Sequence, residues 1–486
     1  MSALFDINPK VLADKLAEQL YYPSDLVNQT FALSNDIHGN CLFIETMADK
    51  EQIDNYILRV FREGLITADL QGSEDLIPTL IHRIPLVPVS AVSDFDSCVR
   101  GLLDGQCILL LPHANQALLL DAANPAHRDI TEPQTETTVR GPREGLTEDI
   151  KLNLSLLRKR IKTPGFRMEQ YELGTTTQTK IIIAYLQELA PADVVNDFRS
   201  RLQSIHTDGV IGSSYVEEWI QDSMVSPFPT LLESERPDVV ASHLLEGRVV
   251  VLVDGTPFAL IGPITFFQLF TAPEDYYQRA DIATMLRWLR MLAFLLAILV
   301  PSVFIAVMSY HQELLPNPLL INIAAQREGV PFPAYIEAIL MLTTFEVLRE
   351  AGLRMPRVAG QAISIVGALV LGEAAVQAGL VTAAMVIVVA VTAISNFVSP
   401  SYSFGIAQRL LQFAYMALGG FMGLFGIMCG VLFTIVHLAS LKSFSVPYLA
   451  PIAPTFISDW KDILVRVPRP LMKTYPRMNR SKRNRR

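Results

Sequence analysis

The sequence has few cysteines, and no two of them form a CxxC pair. Four are present, Cys41, Cys98, Cys107 and Cys429. Their spacing supports neither a zinc ribbon nor a thioredoxin-like redox site. We therefore expect free thiols in a reducing compartment, with no metal site and no bound cofactor.

The motifs that carry much of soluble-enzyme chemistry are also missing. The sequence contains no GxxxxGK[ST], HExxH or GxSxG motif, and no GxGxxG follows an apolar strand. Its basic residues are not interleaved with aromatic ones, as they often are in nucleic-acid-binding proteins, and its front half is acidic. We expect a protein that is not an enzyme and does not bind nucleic acid.

Charge is distributed very unevenly along the 486 residues. Residues 1–290 contain 40 acidic and 24 basic side chains, whereas only 11 of the 151 residues between 291 and 441 are charged. Nine basic residues and no acidic one follow position 463. This pattern indicates an acidic water-soluble region, an apolar membrane region and a basic tail that touches lipid headgroups.

The N-terminal sequence lacks a basic stretch followed by an apolar core, so no cleavable signal peptide is expected. The front half should then remain in the cytosol. Apolar strands alternate there with segments of helical spacing, which predicts an α/β region. Residues 105–122 and 247–267 share a pattern of glycine, polar residue, apolar strand, turn and apolar strand. We interpret them as equivalent hairpins in two similar α/β subdomains.

The predicted architecture is thus an α/β cytosolic N-terminal region followed by an α-helical transmembrane domain of four to six membrane segments. The predicted parts are an N-terminal helix and linker, 1–35; a first α/β subdomain, 36–140; a second α/β subdomain, 141–287; a transmembrane domain, 288–442; and a basic cytosolic tail, 443–486.

Five apolar segments could contribute membrane crossings: 291–310, 334–348, 358–380, 381–398 and 410–441. The first is long enough for about 30 Å of helix, and the last is longer than one straight crossing needs.

The side of the membrane on which the two ends of the chain lie decides whether the number of crossings is even or odd. Because basic segments stay cytosolic, the basic tail calls for an even number if the front half is also cytosolic. Glu337 and Glu346 make 334–348 the poorest span, since a central carboxylate costs about 2.5–3.5 kcal/mol. Reading it as re-entrant or interfacial leaves four crossings. Arg349, Arg354 and Arg357 would then lie outside, so the count stays open.

Polar residues inside this block are candidates for pore lining or gating: Gln361, Ser364, Glu373 and Asn396. Each also has a structural alternative, because interhelical hydrogen bonds or a helix end could use the same groups. A second set is spaced 4, 3 and 4 residues apart and predicts close helix packing on one face: Gly419, Gly423, Gly426 and Gly430.

Several long stretches resemble one family. In the front half they include EPQTETTVRGPREG (132–145), NLSLLRKRI (153–161) and PFPTLLESERPDVVASHLLEGRVVVLVDGTPFALIGP (227–263). In the membrane block they include FEVLREAGLRMP, GQAISIVGALVLGEAAVQAGLV and, in the tail, SFSVPYLAPIAP. Together they resemble the A subunits of GerA-type spore germinant receptors. They also resemble a related branch of the same family, which is encoded with the dipicolinate-release machinery, and the choice between the two branches stays open.

The resemblance implies a multi-pass subunit in the inner membrane of a bacterial spore. Such a subunit would form homo-oligomers and work with a transporter-like B subunit and a lipoprotein C subunit. Small nutrients, which a partner subunit could bind, would open a path for monovalent cations and start germination. Two alternatives remain open from the residues themselves: a secondary transporter, and a non-conducting scaffold that assembles partners.

Overall fold

The structure is a computed structural model that describes residues 8–34, 37–59, 77, 88–112, 114, 116–123, 132–133, 135–355 and 372–476. The chain divides into two compact units. The first comprises Met1–Gln221, Leu231–Pro263 and Lys473–Arg486, and the second Asp222–Thr230 and Ile264–Met472. Among the described residues, both five-stranded sheets lie in the first unit, and the long helices lie in the second.

The first sheet of unit 1 is entirely antiparallel, with strand order β1-β2-β4-β5-β3. Its elements are α1 Pro9–Gln19, β1 Leu26–Ser34, β2 Ile37–Ile44, α2 Lys50–Gln52 with a π-helical continuation Ile53–Leu58, β3 Val89–Val92, α3 Phe95–Leu103, β4 Cys107–Leu110 and β5 Ala117–Leu120. Helices α1 and α3 pack on one face, and a second apolar cluster covers the other. Burial on both faces explains why β4 and β5 are apolar at every position.

The second sheet has the strand order β6-β7-β9-β10-β8 and is also antiparallel throughout. Its elements are α4 Ile150–Arg160, β6 Phe166–Leu173, β7 Thr179–Leu186, α5 Ala192–Gln203, α6 Ser213–Ile220, β8 Leu232–Ser234, α7 Pro237–Leu244, β9 Val249–Val253 and β10 Ala259–Gly262.

The two sheets repeat one topology. In each, a helix precedes two paired strands, helical segments lead to an edge strand, and a helix then enters a central hairpin. The predicted hairpins are present as β4–β5 and β9–β10. Gly255 in the second turn has a φ of +84°, a conformation that favours glycine.

A buried ion pair joins the two halves of unit 1. Nε and Nη2 of Arg158 on α4 donate to the two carboxylate oxygens of Asp25 over 2.9 and 2.7 Å. Only 3% of the Arg158 side chain and 7% of the Asp25 side chain are exposed. The Thr46 hydroxyl also donates to Asp25, over 2.6 Å. The pair is therefore dry, bidentate and further hydrogen-bonded.

The described part of unit 2 contains five longer helices: α8 Ala280–Tyr310, α9 Asn317–Arg327, α10 Ala334–Arg354, α11 Ala383–Phe397 and α12 Tyr402–Ser440. Its shorter elements are β11 Lys442–Ser443, β12 Val446–Pro447, α13 Trp460–Ile463 and the 3₁₀ helices Phe266–Phe270, Pro273–Tyr276, Gln312–Leu314, Ile457–Asp459 and Arg469–Leu471. Within the described residues, two helices, α8 and α12, are long and apolar enough to cross a membrane. Helix α11 is apolar but shorter.

One end of these helices, called the base end here, is marked by packed aromatic rings. The rings of Phe294 on α8 and Phe404 on α12 stack with centroids 5.0 Å apart, and Phe270 packs edge-on against both. The segment that follows α12 returns to the same end, where the Phe266 N–H donates to the Tyr448 carbonyl. Phe294 near the middle of α8, the start of α12 and residues 441–448 therefore lie together.

The opposite end, called the far end here, is marked by Tyr310 at the end of α8. Its hydroxyl donates to the carbonyls of Gly420 and Phe421 on α12, over 3.0 and 3.1 Å. The ring of Tyr335 at the start of α10 lies 5.9 Å from that of Phe421. The second half of α8, from Phe294 to Tyr310, and the first part of α12 thus lie side by side from the base end to the far end.

Helix α12 is a hairpin of two helical arms, 402–422 and 424–440. Gly423 between them has φ +65° and ψ −147°, which is not helical. The Tyr415 hydroxyl lies 2.9 Å from the Thr434 hydroxyl, although the two would be about 28 Å apart along a straight helix. The second arm therefore folds back along the first and returns to the base end. This explains the excess length of the apolar run 410–441.

Helix α10 covers the segment 334–348, for which a re-entrant or interfacial position is expected from the sequence. It is one continuous helix of 21 residues. Tyr335 lies at the far end, whereas the Phe345 ring packs 6.1 Å from Phe397, next to the start of α12. Arg349 and Arg354 follow Phe345 and continue towards the base end. The helix therefore runs the length of the bundle, antiparallel to α8.

Candidate functional site in the helical unit

Of the two predicted lining residues that the structure describes, Glu373 is the more exposed. It lies in a helical stretch, 372–377, and its Oε1 accepts a 3.1 Å hydrogen bond from Gln377 Nε2. A Cβ on the neighbouring Gly372 would lie 3.7 Å from Val386 on α11, so this stretch packs beside α11. The carboxylate is on the outer surface of the single chain rather than in its core.

Asn396 instead joins two helices. Its Nδ2 donates to Gln412 Oε1 over 3.1 Å, and its Oδ1 accepts from Gln408 Nε2 over 2.9 Å. Both glutamines lie on the first arm of α12 and are 1% exposed. The three side chains therefore form a continuous row of amides between α11 and α12. The buried glutamines were not anticipated from the sequence, because their partner is 12 to 16 residues away on another helix.

Gln361 and Ser364 lie outside the described residues, so their predicted role stays a prediction. The structure brings Glu373 and Asn396 to neighbouring elements but not into contact. Among the described residues, no group of three His, Cys, Asp or Glu side chains could hold a metal ion.

The four candidate glycines are all buried, and each allows a close approach. A Cβ on Gly419 would come within 2.7 Å of the Ser302 carbonyl oxygen on α8. On Gly426 and Gly430 it would meet Leu418 of the first arm, at 2.4 and 2.8 Å. Two of the glycines therefore serve packing within the hairpin, and Gly423 forms its turn.

Glu337 is the most completely buried carboxylate in the described membrane block. It is 1% exposed, and its Oε2 accepts hydrogen bonds from both the N–H and the hydroxyl of Thr382, each over 3.1 Å. Thr382 is the N-cap of α11. A carboxylate at a helix N-terminus is favoured by the helix dipole and by the free N–H groups there. One of the two carboxylates that made 334–348 the poorest predicted span therefore holds α10 to α11.

Arg287 and Arg290, which mark the start of the membrane block in the sequence, point inward at the base end. Both guanidinium groups bind the carboxylate of Asp275, over distances from 2.7 to 3.2 Å. Asp275 is 1% and Arg287 0% exposed. Arg287 Nη1 also donates to the carbonyls of Asp462 and Ile463. These bonds fasten the first turns of α8 to the chain segments before it and after α12.

In unit 1, the stretch 132–145 is held by residues 234–236. Glu235 Oε1 accepts from the backbone N–H and hydroxyl of Thr135, and from the Glu136 N–H over 2.9 Å. Arg236, 0% exposed, donates to the Thr138 hydroxyl over 2.8 Å. Burial raises the pKa of Glu136 to about 7; the negative charge of Glu235 adds to this rise, and the Ser234 hydroxyl opposes it.

These features define a class: a protein with a duplicated antiparallel α/β region and a helical unit that contains apolar helices of membrane-spanning length. The family described as Bacillus/Clostridium GerA spore germination protein matches residues 14–478. The chain belongs to this family.

Individual relatives agree with that assignment. The chain is 42% identical over 433 residues to spore germination protein KA of Bacillus subtilis, covering 89% of this chain and 79% of the relative. It is 38% identical over 465 residues to spore germination protein GerLA of Bacillus cereus, covering 95% and 94%. It is also 41% identical over 445 residues to the uncharacterized membrane protein YfkQ of Bacillus subtilis, covering 92% and 86%.

The similar solved structures include the N-terminal domain of the A subunit of the Bacillus megaterium spore germinant receptor GerK3. It is 31% identical to this chain, covers 52% of it and 93% of its own length, and has a TM-score of 0.42.

Proposed function

We propose that this chain is the oligomeric, channel-forming subunit of a nutrient germinant receptor, which releases monovalent cations when a germinant is sensed. Membership of the germination family supports the role in germination. The channel part of the proposal rests on the polar groups that the membrane block carries on its surface and between its helices.

The proposed topology has six crossings. Helices α8, α10 and α11 and the two arms of α12 account for five, and the apolar sequence 358–380 is assigned the remaining one. Its residues 358–371 lie outside the described part, so that crossing rests on the sequence alone. Six crossings leave both ends of the membrane block on one side. This agrees with the meeting of residues 264–294 and 441–448 at the base end.

The distribution of positive charge supports the same topology. With α10 running from the far end to the base end, Arg349 and Arg354 approach the base end, on the side of the basic tail. A re-entrant 334–348 would place these two arginines on the outer side, against the positive-inside rule. A crossing α10 removes this conflict. We assign the base end to the cytosol.

The exposed carboxylate of Glu373 is the observation on which the channel proposal rests. A carboxylate on the lipid-facing surface of a membrane segment costs several kcal/mol, so such groups normally face water or a partner. In the single chain Glu373 is exposed and has only Gln377 as a described hydrogen-bonding partner. Copies arranged around an axis would place one such carboxylate from each chain along a shared aqueous path, where it would favour cations.

The amide row of Asn396, Gln408 and Gln412 is the proposed moving element. Its hydrogen bonds join α11 to the first arm of α12, and an amide can exchange a protein partner for water at small cost. A shift of α11 would therefore expose polar groups rather than apolar ones. This row is a candidate gate, together with the predicted positions Gln361 and Ser364.

The complex is proposed to lie in the inner membrane of the spore, with the N- and C-terminal regions in the cytosol. Its proposed partners are further copies of the chain, a transporter-like B subunit, a lipoprotein C subunit and membrane lipid. The nutrient that opens it could bind a partner subunit or this chain.

Single-channel recording of the reconstituted full chain, alone and with its partner subunits, tests the proposal. We expect discrete currents carried by monovalent cations. Glu373→Gln should lower the ratio of cation to anion permeability. Glu350→Gln is the matched control, because Glu350 is exposed but bound to Arg354 on its own helix, and it should leave selectivity unchanged.

One outcome would contradict the channel function, and another would contradict the role proposed for Glu373. Silence of demonstrably inserted protein with partners and nutrient present would favour the scaffold alternative. Unchanged selectivity in Glu373→Gln would remove this residue from the ion path.

A further inference from the structure

An apolar groove runs along the surface of the helical unit, from its far end towards its middle. It has a volume of about 430 Å³, and every side chain that lines it is apolar. Three helices contribute its walls: Leu299, Val303 and Val307 of α8, Leu319 and Ile323 of α9, and Val388 of α11. From Leu299 to Met308 the groove follows about 14 Å of α8. This is close to the depth of one leaflet, half of a hydrocarbon core of about 30 Å.

A more polar cleft of about 870 Å³ adjoins this groove at the far end. The side chain of Met308 lines both spaces. They lie on neighbouring faces of α9, because Leu319 and Ile323 line the groove, whereas Leu320, Ala324 and Arg327 line the cleft. An apolar groove one leaflet deep thus opens at its outer end into a cleft with charged walls. This sequence of surfaces matches an acyl chain followed by the headgroup of a phospholipid.

Arg327 supplies the cleft with a positive charge whose donors are not used. Its side chain is 24% exposed, and within the described part of the chain its guanidinium makes no hydrogen bond. Its Nη2 is 3.7 Å from Oε1 of the buried Glu337, which is longer than a hydrogen bond. A guanidinium presents five N–H donors in a planar fork that fits the oxygens of a phosphate. A phosphodiester in the cleft would use the donors that Glu337 leaves.

The other polar groups of the cleft favour a headgroup that also carries an ammonium. Glu328 is exposed and leaves an excess of negative charge, since Glu337 already balances Arg327. Gln312 donates its Nε2–H to the Met308 carbonyl over 2.8 Å, which leaves its side-chain oxygen as an acceptor. A phosphoglycerol headgroup, which is only negative, would be repelled by Glu328. A trimethylated ammonium has no N–H to donate to Gln312, whereas a primary ammonium has three.

We propose that the groove and the cleft together bind one phospholipid of the phosphatidylethanolamine type, in the leaflet at the far end. Arg327 binds its phosphate, Glu328 and Gln312 bind its ammonium group, and the groove holds one acyl chain. The proposal rests on the topology proposed above, in which α8 and α11 cross the membrane, and is independent of ion conduction. Because Val388 belongs to α11, the bound chain would fill the space between α8, α9 and α11.

Native mass spectrometry of the detergent-purified full chain counts the lipids that it retains. The delipidated chain is titrated with dioleoyl phosphatidylethanolamine, phosphatidylcholine and phosphatidylglycerol in the same detergent. We expect one phosphatidylethanolamine to be retained, and the other two lipids to bind at least about tenfold more weakly, because each loses a charge-assisted hydrogen bond. Free phosphoethanolamine carries the same headgroup charges without acyl chains. It should bind at least about a hundredfold more weakly than the lipid, because no apolar surface is buried.

Two variants change the charges of the cleft. Arg327→Gln alone would leave the buried Glu337 unbalanced, so it is combined with Glu337→Gln, and the double variant should bind phosphatidylethanolamine at least about tenfold more weakly. Glu328→Gln should abolish the preference for phosphatidylethanolamine over phosphatidylglycerol. Arg354→Gln, which removes an exposed arginine paired with Glu350, is the matched control and should bind as the wild type does.

A third variant fills the groove. Val303→Trp places a large ring in open space between the helices and should abolish retention of the lipid without disturbing the core. Val436→Trp is its matched control, because Val436 is an exposed apolar residue of α12 outside the groove. It should retain one phosphatidylethanolamine.

The inference is overturned if the double variant, with unchanged thermal stability, retains phosphatidylethanolamine as the wild type does, or if Val303→Trp and Val436→Trp retain it equally. Equal retention of the three lipids would also overturn it, since the contact would then be that of any lipid with an apolar surface. Binding of free phosphoethanolamine as tight as that of the lipid would assign the cleft to a soluble ligand instead. Because bound lipid is counted directly, absence of channel current does not affect these outcomes.

Discussion

Gly423→Ala should destabilise the helical unit strongly, because the hairpin of α12 turns at this residue. Its φ of +65° and ψ of −147° lie in a region that is essentially restricted to glycine. A new Cβ would also lie 2.8 Å from His311 Cε1 and 3.1 Å from Tyr310 Cδ2. The substitution therefore adds backbone strain and a steric clash at the same point.

The expected magnitude follows from these two terms. A residue forced into such a conformation costs about 1–3 kcal/mol. Inserting a methyl group into a closely packed site typically costs about 1–3 kcal/mol more. The sum, roughly 2–6 kcal/mol, corresponds to a fall of roughly 5–20 °C in the unfolding midpoint of a unit of this size.

Gly405→Ala is the matched control on the same helix. Gly405 has an ordinary helical conformation, and its Cβ would be 3.9 Å from Ser399, which is normal contact. Alanine is favoured over glycine inside a helix by about 0.5–1 kcal/mol, so a small rise in the midpoint is expected. Thermal unfolding of the detergent-purified full chain, followed by tryptophan fluorescence, compares the two variants.

A cross-linking measurement tests the hairpin itself. Tyr415→Cys with Thr434→Cys, in a Cys429→Ser background, should react with a short bismaleimide to give an internal cross-link. The two native hydroxyls are 2.9 Å apart, whereas a straight helix would separate them by about 28 Å. Failure to cross-link while both thiols react singly, or equal midpoints for Gly423→Ala and Gly405→Ala, would refute the reasoning.

Three further predictions concern other parts of the molecule. Asp25→Asn should lower the free energy of unfolding in urea by about 3–5 kcal/mol, because it leaves the buried Arg158 unpaired. The control Glu45→Gln breaks an exposed pair with Lys151 and should lower it by less than about 1 kcal/mol. Equal effects of the two substitutions would contradict this prediction. Because the folded-state pKa of Glu136 is raised to about 7, its ionisation should reduce stability as pH rises from about 4.5 to 7. Glu136→Gln should therefore become more stable relative to the wild type by up to about 3 kcal/mol between pH 5 and pH 8, and a constant difference across this range would contradict it. Gln412→Leu should lower the thermal midpoint by an amount equivalent to about 0.6–2 kcal/mol, since Asn396 loses its acceptor, and an unchanged midpoint would count against the amide row.

Local sequence patterns were sufficient for several features of the fold. The hairpins within 105–122 and 247–267 are predicted from apolar runs separated by a turn, and they are present as β4–β5 and β9–β10. Their shared pattern also pointed to two similar subdomains, and the two sheets have the same strand order. These predictions succeed because strands and tight turns depend mainly on neighbouring residues.

The candidate site was predicted less completely. Glycine spacing indicated close packing, and the four glycines are buried, but a periodicity argument assumes one straight helix and cannot reveal the turn at Gly423. Similarly, Asn396 stood out as a polar residue in an apolar run, whereas Gln408 and Gln412 became significant only as its partners.

The sequence by itself therefore determined the acidic front, the apolar block, the local hairpins and the family, because composition, periodicity and long matching stretches are properties of the chain alone. Only the tertiary structure decided how the membrane block is arranged. Taken from the sequence alone, the charge of Glu337 disfavours a spanning helix. In the structure Glu337 binds Thr382, 45 residues away, and so links α10 to α11. The cost of burying a charge depends on what surrounds it, and those surroundings come from distant parts of the chain.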